Sequence, residues 1–152
     1  MLRDDINNAL KDAMKAGDAR RVSTLRLVNS SLKNADIEAR GQGKPPLTDE
    51  ELLALLQKMI KQRQESVELY QKGNRADLVA QEQGEIEIIS AYLPAQMPED
   101  EIGTVIAALV KETGATAMKD MGRVMAAIKE RYAGKLDTGK ASAAVKKLLS
   151  GG

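Results

Sequence analysis

Apolar residues recur every three to four positions along nearly the whole chain, and strict apolar–polar alternation is hard to find. That period is the α-helix's own, so an all-α fold is expected. Punctuation divides the pattern. Residues 2–16 place Leu2, Ile6, Leu10 and Ala13 on one face, Gly17 is a natural stop, and Asp18 can cap a second helix over 19–40. There Leu25, Val28, Leu32 and Ala35 should turn inward. After the Gly- and Pro-rich loop 41–46, Thr48 with Glu51 three residues later forms a capping box that starts a third helix. Its stripe is Leu52, Leu55, Leu56, Met59, Ile60, Val67 and Tyr70, and Gly73-Asn74 breaks it. A fourth helix over 75–92 would bury Leu78, Gln81, Ile86, Ile89 and Tyr92, with Gly84 inside it at a cost of about 1 kcal/mol relative to alanine.

Pro94 and Pro98, four residues apart, mark the expected domain boundary. Residues 1–93 make a four-helix N-terminal unit and 94–152 a small three-helix C-terminal domain. Pro98 suits the first position of helix five, followed by three acids at the positive end of its dipole. Ile102, Val105, Ile106 and Leu109 point inward and Gly114 ends that helix. Helix six is expected over 117–132 with Met118, Met121, Met125 and Ile128 as its core stripe. Helix seven is expected over 138–149, capped by Asp137, with Ala141, Ala144, Val145 and Leu148 buried.

Absences narrow the function. The chain has no Cys, hence no thiolate nucleophile and no cysteine zinc site, and no His, which removes Ser-His triads and most transition-metal sites. Neither a metal nor a cofactor is expected. With no Phe or Trp and three Tyr, platforms for stacking single-stranded bases are nearly missing. The stretch MLRDDINNAL carries acids where a secretory signal needs an apolar core, and no apolar run is long enough to span a bilayer, so a cytoplasmic protein without membrane contact is expected.

Charge is uneven. Residues 113–152 hold eight Lys and Arg against Asp120, Glu130 and Asp137, about +5 in a chain of net +1. The first candidate site is the start of helix six, where Thr116 can act as cap and leave N–H groups and positive dipole facing an anion. Lys119 and Arg123, four apart, would share a face that Gly122 keeps low enough for a close approach. Lys135, Lys140, Lys146 and Lys147 would extend the basic surface along helix seven. Such a surface suits phosphates, with binding that weakens steeply with salt. The competing reading is an amphipathic helix pair with a solvated basic face.

Two other constellations favour structure over chemistry. Residues 134–141 read G-x4-G-K-A, one residue short of a P-loop, but Ala141 stands where the Mg²⁺ ligand belongs, no strand precedes, and Asp137 would put negative charge in the cradle. Helices three and four carry Arg63, Glu65, Ser66, Arg75, Asp77, Glu82, Glu85 and Glu87, with Arg26 a further candidate. Interhelical ion pairs explain that set more cheaply than an acid/base couple.

Two blocks carry a resemblance. KQRQESVELYQKGNRADLVAQEQGEIEIISAYLP (61–94) and TGATAMKDMGRVM (113–125) resemble the YqeY-like family. The second block also resembles the small C-terminal tail domain found in one subunit of the tRNA-dependent glutamine/asparagine amidotransferase. The resemblance runs over essentially the whole chain. It implies an all-helical, two-part fold, and an association with tRNA and with carbon–nitrogen ligase activity using glutamine as amide donor. This chain has no room for the amidotransferase's catalytic domain or its glutaminase partner. Gly84 stands where the family's acidic helix has a longer residue and is expected to loosen helix four. The expectation is therefore a non-catalytic accessory protein that binds tRNA or a tRNA-processing complex, not DNA, through the basic face. The alternative is a protein-interaction adaptor without RNA contact.

Overall fold

A computed structural model describes residues 1–150. Among them the chain forms α1 (Leu2–Ala16), α2 (Ala19–Gly41), α3 (Asp49–Lys72), α4 (Ala76–Ser90), α5 (Glu99–Thr113), α6 (Met121–Arg131) and α7 (Thr138–Leu149), with a 3-10 turn at Met118–Asp120 and no strand. The fold is all-α. Its packing divides into two compact units, Met1–Leu93 and Pro94–Gly152.

In the first unit the helix ends follow local chemistry. Gly17 takes the left-handed conformation that closes α1, and Asp18 accepts from the backbone N–H of Arg21 to start α2. Thr48 and Glu51 complete the capping box of α3. The core joins Ile6 and Ala13 of α1, Leu25, Val28 and Leu32 of α2, Leu52, Leu56 and Met59 of α3, and Ile89 of α4. A polar tie that periodicity does not reveal fastens three segments. Arg3 donates to both carboxylate oxygens of Asp36 at 2.6 and 2.7 Å and to the Leu47 carbonyl at 3.0 Å, while the Leu47 N–H donates to Asp36. One ion pair thereby links α1, α2 and the loop entering α3.

Helices α3 and α4 form an antiparallel hairpin whose far half leaves the core. Of the described residues between Met59 and Ile89, none is buried. Half-buried Val67, Tyr70, Leu78 and Val79 lie along that half, and Arg63 pairs with Glu85 across the hairpin at 3.0 Å. Gln81, expected inward, is exposed, because the covered stripe of α4 runs through Leu78, Glu82, Glu85 and Ile89, and Gln81 lies to one side of it. Gly84 also has a role that sequence does not show. A Cβ there would stand 2.7 Å from a guanidinium nitrogen of Arg20, so the glycine leaves room for an α2 side chain crossing α4.

The second unit has its own core of Ile102, Ile106 and Leu109 (α5), Val124 and Ile128 (α6), Ala141, Val145 and Leu149 (α7), with Ala115 and Leu136 from the connections. Asp137 caps α7 as expected, accepting from the Lys140 N–H. Three expectations are corrected. Pro98 is the extended residue before α5, not its first turn. Helix six begins at Met121 behind the 3-10 turn, which rotates the inward face: Val124 becomes fully buried and Met118 is 40% exposed. In α7 the buried column is Ala141, Val145 and Leu149 at four-residue spacing, leaving Leu148 42% exposed.

Candidate nucleic-acid interface

The segment around Thr116 departs most from expectation. Thr116 does not cap a helix with its side chain. Instead its backbone N–H and that of Ala117 donate to one carboxylate oxygen of Asp120, at 3.0 and 3.2 Å. The other oxygen of Asp120 accepts from Arg123 at 2.7 Å, and Arg123 also donates to the Thr113 carbonyl at 3.1 Å. The N–H groups expected to meet an external anion thus hold an internal carboxylate. The physical reason is proximity: Asp120 is already tethered beside the positive end of the helix, so it fills that position without loss of translational entropy. Those backbone N–H groups and Arg123 hold the Asp120 carboxyl below its ordinary range.

The 3-10 turn also separates Lys119 from Arg123. Lys119 lies in the turn and Arg123 in α6, so the four-residue spacing no longer lies on one continuous helix. Gly122 is exposed with open space above it, as expected of a low surface. The residue that shares its side of α6 is Lys129, seven positions on, which the sequence expectation omits although the spacing is visible there.

The remaining basic candidates divide by partner. Lys140 reaches Glu99 at 3.5 Å and Arg131 forms a two-pronged pair with Glu112 at 2.6 and 2.7 Å. Lys119, Lys129, Lys135, Lys146 and Lys147 are exposed and have no ion pair among the described residues. The turn that carries Lys119 packs on α7, the helix of Lys146 and Lys147. Lys140 and Lys147, seven apart, lie opposite the buried column of α7. Lys135 sits in the α6–α7 connection, where its carbonyl accepts from the Met97 N–H at 2.7 Å. Counted over Pro94–Gly152, nine Lys and Arg face seven Asp and Glu, so the unit's net charge is +2; the acids that open α5 offset only part of the excess over 113–152.

The near P-loop forms no phosphate cradle. The Gly134 carbonyl accepts from Gln96 at 2.6 Å, and the Asp137 carboxylate occupies the N-terminus of α7. On the α3–α4 hairpin, Arg63–Glu85 is an interhelical pair and Arg75–Asp77 a local one. Burial, and then the neighbouring Glu85, push the Glu82 carboxyl up. Arg26 forms no ion pair with them among the described residues; it lines a depression along α2. Among the described residues, no group of three or more Asp or Glu is placed to hold a metal ion.

Residues 3–149 match the family model described as Yqey-like protein. Among curated proteins, the chain is 40% identical over 111 residues to "Altered inheritance of mitochondria protein 41, mitochondrial" of Lachancea thermotolerans, covering 71% of this chain and 57% of that protein. The proteins of the same name from Pyrenophora tritici-repentis and Vanderwaltozyma polyspora are 33% and 32% identical, over 80% and 74% of this chain and 68% and 62% of theirs. The chain thus spans little more than half to two thirds of these relatives. Their names overturn the cytoplasmic expectation, since each is a mitochondrial protein. The expectation rested on the absence of a secretory signal and of a membrane span, and an absence does not place a protein in a compartment.

Proposed function

We propose that this chain, which belongs to the YqeY-like family, is a non-catalytic helical accessory protein that contacts the phosphates of tRNA through its C-terminal unit. The observation that carries the reading is the set Lys119, Lys129, Lys135, Lys146 and Lys147: exposed ammonium groups without an ion pair among the described residues, in a unit whose arginines at 123 and 131 are engaged. Phosphate contact needs positive charge and no stacking platform, which suits a chain with no Phe or Trp. The resemblance of residues 113–125 to the amidotransferase tail domain is why tRNA is the nucleic acid proposed. The Asp120 clasp moves the contact away from the helix start, so Thr116 and Arg123 shape the loop and the lysines meet the phosphates.

Filter binding of bulk tRNA across a salt series tests this. Binding should fall steeply with salt, and each lysine changed to alanine should lower the log–log slope by about one. No binding at low salt, or a slope unaffected by removing Lys119, Lys146 and Lys147 together, overturns the reading.

A further inference from the structure

Helix α2 is apolar on two sides. Its inner side buries Leu25, Val28 and Leu32. Its outer side carries Leu27 and Ile37, 46% and 66% exposed, and half-buried Val22, which packs against the core, lines the edge of the same side. Between them lie Ala19, Ser23 and Ser30, small residues that leave a shallow depression of about 570 Å³ along the helix, with the half-exposed Met14 of α1 also uncovered nearby in sequence. An apolar strip on the solvent side of a surface helix, rimmed by charge, is what a docking partner would cover.

The charge on this outer side says what the neighbour is. Between Asp18 and Asp36, α2 carries Arg20, Arg21, Arg26 and Lys33 and no acid. Arg20 lies across Gly84 of α4, whereas Arg26 lines the depression itself and, like Lys33, has no ion pair among the described residues. We infer that the outer face of α2, from Ala19 to Ile37, docks an acidic amphipathic helix of a partner protein. Its apolar stripe would cover Leu27 and Ile37, and its flanking carboxylates would meet Arg26 and Lys33. The face is about 27 Å long, which matches a partner helix of about 18 residues.

A second copy of the chain fits less well. One α2 laid on another sets Arg26 and Lys33 against their own kind. The exposed Leu69 of α3 shares its helix with Lys58, Lys61 and Lys72 as well as Glu65 and Glu68, so it offers no acidic stripe. Nucleic acid fits less well too, because Leu27 and Ile37 stand where phosphates would lie. This inference concerns the N-terminal unit and does not rest on the RNA reading.

The test places the photoreactive residue p-benzoylphenylalanine at Ser30, the middle of the face, in cells that express the full chain, with the same residue at exposed Glu87 of α4 as control. The cross-linked segment is sequenced, synthesised and titrated onto the purified chain. The expected result is one protein segment, specific to position 30, with carboxylates flanking an apolar stripe of helical period. Its Kd should rise at least tenfold in Arg26→Glu and in Ile37→Asp, both exposed positions whose substitution leaves the helical circular dichroism unchanged. Cross-links to RNA, to lipid, to another copy of this chain, to scattered segments or to nothing overturn the inference, as does a segment whose binding ignores both substitutions.

Discussion

Asp120 and Arg123 close the loop that enters α6: the carboxylate accepts from the guanidinium at 2.7 Å and, through its other oxygen, from two backbone N–H groups. The folded protein therefore favours the ionised carboxylate, and its pKa lies below the ordinary aspartate value. A lowered pKa means that the stabilisation is present above the ordinary carboxylate range and is lost as pH falls through the folded value. Asp120→Asn should lower the stability of the C-terminal unit at neutral pH. Its denaturation curve should converge on that of the unsubstituted chain as pH drops below that range. A difference that persists unchanged in acid would show that charge is not what holds the loop.

Gly122 and Gly103 separate fold from binding. Both lie in helices, both have open space where a Cβ would stand, and neither has a positive φ. Alanine at either should stabilise by up to about 1 kcal/mol. If Gly122 keeps the surface low for a ligand, Gly122→Ala should gain stability and lose tRNA affinity, while Gly103→Ala gains stability alone. Thermal denaturation and filter binding on the same two variants make the comparison.

Arg3 and Asp36 supply a second pH-linked tie. Arg3 and then the Leu47 N–H hold the Asp36 carboxyl low, and Asp36 holds the Arg3 guanidinium's pKa up. Arg3→Met should cost about 1 kcal/mol at neutral pH, the upper end for a partly exposed pair, because the geometry is two-pronged. The loss should shrink in acid as Asp36 protonates, and urea titration at neutral and acid pH reads it directly.

Thr24 of α2 is 1% exposed, and its hydroxyl has no hydrogen-bond partner among the described residues. A buried unpaired hydroxyl costs desolvation with nothing gained in return. Thr24→Val keeps the shape and removes that cost, so it should stabilise the N-terminal unit by about 1 kcal/mol in urea denaturation. Thr24→Ser, which keeps the hydroxyl and removes a methyl group, should destabilise it.

Much of the helical frame is legible in one dimension. The limits of α1 and α7 follow from Gly17 and Asp137, and the start of α3 follows from Thr48 with Glu51, because caps are contacts between residues three or four apart. The start of α6 is the exception, for a related reason. Thr116 and Asp120 can both serve as the polar residue before a helix, and whichever the backbone closes onto leaves the other outside.

Local spacing alone settled the helix class, the caps at Asp18, Thr48 and Asp137 and the number of charges, since each depends on neighbours along the chain. Tertiary structure decided which of those charges remain unpaired. Arg131 is neutralised by Glu112 and Arg3 by Asp36, partners 19 and 33 residues away, while Lys146 and Lys147 are left to solvent. It also decided that Leu149 and not Leu148 enters the core, and that α2 keeps Leu27 and Ile37 outside. A helical sequence marks its apolar residues, but only the packed neighbours determine which of them are covered.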